Sequence, residues 1–235
     1  MSLILHCPKS HLSHGTKVEV VAKFLGIELE FNRILPAEWR SPEHLKRHPL
    51  GKVPVLETPE GCIYESLSII RYLARRAGKL YGSTAAETAH IDQWLEFTNT
   101  QLQPYLATIF YPLFGYAQTT AEKFEEGRKG LLEVLKIIDA HLEKSEFLGS
   151  KEISVADVVV ATQLRYIFSW ILDEPARSGL PSLTKWFVNL MENEHNKAFF
   201  GKTWLCQKVF VPDFSYVPKK KEEPKKEEPK KEVKK

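Results

Sequence analysis

The chain has 235 residues, 43% of them hydrophobic, and a formal net charge of +3 at pH 7. Residues 219–235 hold nine lysines and five glutamates, so the rest is close to neutral and a nucleic-acid-binding surface is not predicted. The three cysteines form no C-x-x-C pair, which is typical of a reducing, cytoplasmic setting. No apolar run approaches the about 18 residues of a membrane helix, and the N-terminus has no signal-peptide pattern.

The first part of the chain alternates strand and helix patterns. Residues 3–5 form a short apolar run that predicts a buried strand. The apolar spacing of residues 18–25 predicts a helix, and Gly26 supplies its stop signal. Residues 27–31 alternate with period two, which predicts a half-buried strand.

A second helix and a hairpin follow. Ser41 is a predicted N-cap with a proline at the first helical position, so we expect a helix over residues 42–47. Residues 53–56 and 62–64 predict two strands joined by a hairpin turn. The next helical stripe ends at Gly78.

These elements predict an α/β thioredoxin-like N-terminal domain over residues 1–80, followed by a linker at residues 81–87. Apolar periodicity of 3.6 then replaces the strand patterns, which predicts an all-α helical bundle over residues 88–212. Residues 213–235 repeat lysine, glutamate and proline with little to bury, so we predict a disordered, charged linker.

One helix start in the second domain is strongly specified. Ser154 and Asp157 have the spacing of a capping box, and Ile153 and Val158 occupy the hydrophobic-staple positions. We expect this motif to nucleate a buried helix and to have no chemical role.

Aromatic residues are frequent after the first long helix of this domain. Aromatic side chains at helical spacing usually pack in a core, so we favour core positions over pocket lining for them. The residues concerned are Tyr105, Phe110, Tyr111, Phe114 and Tyr116.

The segment from Val53 to Ser66 has three features suited to holding a small peptide. A residue before proline is extended, so the Val53 backbone can pair with a ligand backbone, and a cis bond to Pro54 would expose that edge. Ser66 at a helix start can cap the helix, whose N–H groups suit a carboxylate. Glu65 suits an amino group. The segment predicts a ligand like glutathione.

Together these motifs resemble the cytosolic glutathione transferases over about residues 1–210. Within that fold, four stretches and the lysine-rich tail are most similar to the transferase-like domain of the elongation factor 1-gamma family. The stretches are residues 51–54, 93–97, 111–115, and 180–187 with 205–208.

The resemblance implies a gamma subunit of the translation elongation factor 1B guanine-nucleotide exchange complex. Such a subunit anchors the exchange-factor subunit and serves elongation factor 1A indirectly. It also implies a cytoplasmic homodimer that binds glutathione or a glutathione-derived thiol, with no tightly bound cofactor and neither nucleic acid nor membrane as partner. An active glutathione S-transferase is the alternative, because a fold does not prove an activity.

The resemblance also suggests catalytic residues. Ser13 precedes Lys17 by four residues, as in serine-type transferases, where a hydroxyl beside a helix N-terminus stabilises a thiolate. Ser10 is the second choice, and a simple N-cap role for Ser13 is equally compatible with the sequence. Cys7 followed by Pro8 resembles thiol-transferring omega-class enzymes, which gives a less favoured third function, a Cys7-dependent thiol transferase.

Two further residues complete the expected glutathione site. Lys52 stands where related enzymes place Gln or Lys against the peptide, and Arg40 can pair with the glycine-end carboxylate. Histidines 6, 11 and 14 fit no helix face and have no carboxylate nearby in sequence, so no metal site is predicted.

Overall fold

A mixed four-stranded sheet organises the N-terminal part of the computed structural model, which describes residues 2–9 and 14–217. Its strands are β1 (Ile4–Cys7), β2 (Glu30–Arg33), β3 (Val55–Thr58) and β4 (Gly61–Tyr64). The strand order is β2-β1-β3-β4, with β1 parallel to β2 and antiparallel to β3. Strands β3 and β4 form the predicted hairpin.

Three helices pack on this sheet: α1 (Gly15–Leu25), α2 (Pro42–Arg47) and α3 (Ser66–Ala77). Gly26 and Gly78 adopt left-handed backbone angles directly after α1 and α3, which confirms both predicted stops. The predicted start of α2 is also confirmed, since the Ser41 hydroxyl accepts a hydrogen bond from the His44 N–H at 3.2 Å.

Two local expectations are wrong. Strand β2 begins at Glu30 rather than residue 27, and its four residues are exposed, because it lies at the sheet edge and pairs only with β1. Ser66 is not the N-cap of α3: Glu65 takes that position with φ +67°, and no side chain caps the helix. Ser66 is instead the first helical residue.

The C-terminal part is helical, so the predicted fold class is confirmed. A π-helical turn, Thr98–Leu102, joins the first two helices of this domain. The helices are α4 (Ala85–Phe97), α5 (Gln103–Leu113), α6 (Ala121–Leu142), α7 (Val155–Trp170), α8 (Glu174–Ser178), α9 (Pro181–Glu192) and α10 (Glu194–Phe200). Across residues 2–9 and 14–217, no helix is both long enough and apolar enough to cross a membrane.

The start of α7 contains the predicted capping box, built around a buried carboxylate. Asp157 Oδ2 accepts hydrogen bonds from the Ser154 N–H at 2.9 Å and from its hydroxyl at 2.7 Å. Asp157 Oδ1 accepts from the Leu148 N–H at 2.9 Å and from Trp186 Nε1 at 3.2 Å. This carboxylate therefore links a loop, α7 and α9. A capping box alone involves only the hydrogen bonds with Ser154.

The chain after α10 runs back along α7. The N–H groups of Cys206 and Phe210 donate to the carbonyls of Phe168 and Trp170 at 2.7 and 2.8 Å. The Phe214 ring then packs 6.1 Å from the ring of Phe124. Residues 213–217, which the sequence assigns to the linker, thus contact the helical domain, and the linker prediction for 218–235 lies outside the described residues.

We expect Asp157→Ala to lower the free energy of unfolding by about 3–5 kcal/mol, because several buried donors lose their acceptor together. Ser154→Ala should cost only about 1 kcal/mol, since the carboxylate keeps its other donors. Urea unfolding followed by tryptophan fluorescence measures both values. Equal losses in the two variants would contradict the central role of the carboxylate.

Candidate functional site

The Val53-Pro54 segment leads directly into β3, whose first residue, Val55, pairs with Tyr64 immediately before Glu65. The peptide bond between the two residues is cis, Pro54 is buried and Val53 is half-buried. Among the described residues, neither the N–H nor the C=O of Val53 has a hydrogen-bond partner. A backbone N–H and C=O that are both free can pair with the backbone of a peptide ligand.

Glu65 and Ser66 lie close to this segment, at the N-terminus of α3. Glu65 has a positive φ of 67°, which is uncommon for a residue with a side chain and occurs most often at functional sites. Its carboxylate is exposed, whereas Ser66 is buried. The free N–H groups at the start of α3 favour an anion here, and the neighbouring Glu65 carboxylate favours a cation.

Arg40 and Lys52 are both exposed and lie on the chain segments that flank α2. A hydrogen bond of 2.9 Å between His44 Nε2 and the Lys52 carbonyl ties α2 to this segment. Gly51, with φ +60°, leaves no room for a side chain, because a Cβ would collide with the Trp39 carbonyl beside Arg40. The tight packing at Gly51 brings the loop that carries Arg40 up to Lys52.

Lys17 is a site residue whose burial the sequence did not predict. It lies in the first turn of α1, is only 2% exposed, and its Nζ has no hydrogen-bond partner. Burial lowers the pKa of Lys17 to about 8, and the Glu65 carboxylate acts in the opposite direction. A buried ammonium without a partner is costly, so Lys17 is a candidate functional residue.

A cavity of about 210 Å³ opens next to Lys17. It lies between the N-terminal turn of α1 and the facing surfaces of α5 and α7, so both domains contribute to it. Its walls are mainly aromatic, with two glutamine amides among them. The lining includes Lys17, Gln103, Phe110, Tyr111, Phe114, Tyr116, Gln163 and Tyr166.

The expectation of core positions is confirmed for Phe110, which is buried in the hydrophobic core, and Tyr105 and Phe114 are partly buried against that core. It is wrong for Tyr111 and Tyr116, which are exposed. Phe110, Tyr111, Phe114 and Tyr116 also line the cavity. The periodicity of a sequence shows which side chains share one face of a helix. It does not show that this face of α5 borders a cavity shared with α1 and α7.

The sequence-based candidates Ser13 and Ser10 lie outside the described residues. Cys7 is described and fully buried, with Arg33 Nη1 3.0 Å from its sulfur and Glu19 Oε1 at 3.6 Å. Burial raises the pKa of the Cys7 thiol to about 12, and the Glu19 carboxylate acts in the same direction. A thiol in this environment stays protonated at neutral pH, which disfavours it as a nucleophile.

The histidines give no indication of a metal centre. His6 Nε2 lies 2.9 Å from Glu57 Oε2, and His6 Nδ1 lies 3.0 Å from Asn32 Nδ2. Both ring nitrogens therefore have protein partners, one of them a carboxylate that is distant in sequence. Among the described residues, no group of three or more histidine, cysteine, aspartate or glutamate side chains is arranged to hold a metal ion.

Two family models match this chain, one for each domain. The glutathione S-transferase N-terminal domain matches residues 8–83, and the glutathione S-transferase C-terminal domain matches residues 102–194. The sheet order agrees with the first match, and the helical bundle agrees with the second. The chain therefore belongs to the glutathione S-transferase family.

Within that family, curated relatives of the chain are elongation factor 1-gamma proteins, as the sequence motifs predicted. Elongation factor 1-gamma-A of Xenopus laevis is 34% identical over 189 residues, which are 79% of this chain and 43% of that protein. Probable elongation factor 1-gamma 2 of Arabidopsis thaliana is 32% identical over 205 residues, which are 86% of this chain and 49% of that protein. The chain thus spans about half the length of these relatives.

Solved structures agree with this assignment of the fold. The GST-like domain of elongation factor 1-gamma from Saccharomyces cerevisiae superposes with a TM-score of 0.75 at 20% identity, covering 90% of this chain and 99% of that one. Glutathione S-transferase I from maize, solved with an atrazine glutathione conjugate, superposes with a TM-score of 0.74 at 26% identity. That match covers 85% of this chain and 96% of the maize chain.

We expect Lys17→Met to raise the free energy of unfolding by about 2–4 kcal/mol at pH 7, because an apolar side chain of similar length replaces an unpartnered ammonium. In the wild type, the unfolded lysine keeps its proton up to about pH 10.4, but the folded one only to about 8. Between these two pH values, the free energy of unfolding of the wild type therefore rises relative to that of the variant. The stabilising effect of Lys17→Met disappears over this range.

Urea unfolding of both proteins at pH 7 and at pH 10 measures this difference. Lys23→Met, an exposed position on the same helix, serves as the matched control and should show no such pH dependence. A Lys17→Met protein that is less stable than the wild type at pH 7 would mean that the ammonium has a compensating partner.

Proposed function

We propose that this chain is the transferase-like region of a gamma-type subunit of the elongation factor 1B complex, and that it keeps a glutathione-type site. The observation that carries the first part is the similarity to elongation factor 1-gamma proteins over most of the chain. The second part is supported by the free Val53 backbone next to the start of α3. Assembly is the main role in this proposal, and the ligand site is secondary.

The proposed partner is the exchange-factor subunit of the same complex, with elongation factor 1A served indirectly. The proposed setting is the cytoplasm, and the proposed form is a homodimer. The body of the chain is close to neutral, so the proposal includes no contact with nucleic acid.

In the proposed glutathione complex, each candidate residue contacts one part of the ligand. The Val53 backbone pairs with the peptide, and Glu65 holds the free amine. Ser66 and the N–H groups of α3 hold the neighbouring carboxylate, as helix N-termini do for anions. Arg40 binds the glycine-end carboxylate, and Lys52 binds the peptide. Both side chains are exposed. Ser13 stabilises the thiolate in this scheme.

An active glutathione S-transferase is the second candidate function. The cavity beside Lys17 favours it, because an apolar pocket next to a thiol site can hold an electrophile. Lys17 adds positive charge near the N-terminus of α1, which suits a thiolate. The thiol-transferase alternative has less support, because Cys7 is buried and its thiol stays protonated.

The assembly role predicts a stable complex with the exchange-factor subunit. We expect the purified chain to co-elute with that subunit in size-exclusion chromatography and to bind it in titration calorimetry. A homodimer alone, with no binding to the exchange-factor subunit, would contradict the assembly role and leave the ligand site to be judged separately.

The glutathione site predicts a separation of binding from turnover. We expect Ser66→Ala and Glu65→Gln to weaken glutathione binding at least tenfold, because each removes a hydrogen-bonding or charged partner. Ser13→Ala should keep binding and lose conjugation of an electrophile. Isothermal titration with glutathione and a conjugation assay measure the two effects.

Ser68→Ala is the matched control for the binding experiment, since Ser68 is exposed on the same helix as Ser66. It should bind glutathione like the wild type. A wild-type protein that does not bind glutathione would refute the retained site. Loss of all activity in Cys7→Ser, with binding intact, would instead favour the thiol-transferase alternative.

A further inference from the structure

The chain after α10 forms a strap along the helical domain, defined here as residues 204–217. The N–H groups of Cys206 and Phe210 bind carbonyls at the end of α7, and residues 204–217 contain no helix or strand. Within this range, Cys206 and Pro212 are the buried residues, and the others are exposed or half-buried. A segment with few buried contacts opens locally at a small cost in free energy, so the strap can detach without unfolding the domain.

The strap supports the cavity wall at a first point, through Trp170. The Phe210 ring centre lies 5.6 Å from that of Trp170. The Trp170 ring in turn lies 5.4 Å from Phe114 and from Tyr166, and 6.2 Å from Phe110. These last three rings line the cavity. The position of Phe210 therefore bears on the lining rings through one intervening indole.

The second point of support is the turn that follows α5. Gly115 has φ +71°, and a Cβ there would lie 3.5 Å from the Tyr216 ring, so this ring lies against the backbone of the turn. Phe114 and Tyr116, on either side of Gly115, both line the cavity. Tyr216 therefore restrains the turn that carries two of the lining rings.

We propose that the cavity admits a small aromatic molecule and that binding of this molecule is coupled to docking of the strap. An aromatic ligand is favoured because five of the lining residues are phenylalanines or tyrosines, which stack on other rings. When the strap detaches, the lining rings lose the restraint from Phe210 and Tyr216, and a ligand then has to order them at a cost in free energy. Binding and docking therefore strengthen each other, and by linkage the factor is the same in both directions.

The coupling reaches the start of the charged run of the sequence. The strap ends at Val217, two residues before Lys219, where the repeats of lysine, glutamate and proline begin. A ligand in the cavity would thus fix the point at which this run leaves the domain. The coupling does not rest on the proposed function, because it involves neither glutathione nor a partner subunit, and either can fail without the other.

Hydrogen exchange on the wild-type 235-residue chain tests the coupling directly, with anilinonaphthalene sulfonate as the aromatic probe. The amides of Cys206 and Phe210 report strap docking, because each donates to a carbonyl of α7. We expect a saturating probe to slow their exchange at least about threefold. Amides of the β3–β4 hairpin, in the other domain, serve as the reference and should not change. Equal exchange at Cys206 and Phe210 with and without bound probe would overturn the coupling.

Two strap variants test the same coupling from the other side. Phe210 and Tyr216 are exposed, so Phe210→Ala and Tyr216→Ala should leave the fold intact. Each should weaken probe binding at least about threefold in a fluorescence titration and speed exchange at Cys206. Trp204→Ala is the matched control, because Trp204 is 69% exposed and its ring contacts Lys202 rather than the cavity wall. It should bind the probe like the wild type, and wild-type binding in both strap variants would contradict the proposal.

A variant that fills the cavity shows where the probe binds. Ala107 lies on α5 and lines the cavity, so Ala107→Phe should take up the space that the probe needs. With an unchanged circular dichroism spectrum, this variant should lose both probe binding and the slowing of exchange at Cys206. Unchanged probe binding in Ala107→Phe would place the probe outside the cavity and overturn the proposal.

Discussion

The buried carboxylate of Asp157 holds the helical domain together at the start of α7. It accepts hydrogen bonds from a loop, from its own helix and from the indole of Trp186 in α9. Two residues earlier, the Val155 N–H donates to the Leu80 carbonyl in the chain between the two domains. Because α7 also packs on α1, these bonds fix the helix that forms one wall of the cavity.

Local signals in the sequence predicted the elements that depend on local chemistry. Ser41 capped the helix it was expected to cap, and Gly26 ended the helix before it. The capping box at Ser154 was also predictable, but the Leu148 and Trp186 partners of its carboxylate were not, since they are distant in sequence. The same limit applies to β2, whose exposure follows from its place in the strand order rather than from its residues.

The candidate site could be predicted only where its residues are close together in the sequence. The Val53-Pro54 segment and Glu65 were indicated by residues that are close together in the chain, and the structure gives Glu65 an unusual backbone. The burial of Lys17 could not be read from its neighbours, because it arises from tertiary packing, in which α1 lies against α3 and α7. One signal was available: Lys17 directly precedes the apolar stripe of α1, on a helix with few polar residues.

Strand β2 forms an open edge of the sheet, and its side chains have a consequence for assembly. It is only four residues long, and Arg33 lies over the Phe31 ring at 4.2 Å while it pairs with Glu19. Short edges with charged side chains are poor templates for another strand, so this edge resists aggregation. Strand addition at β2 is therefore an unfavourable route to larger assemblies of the protein.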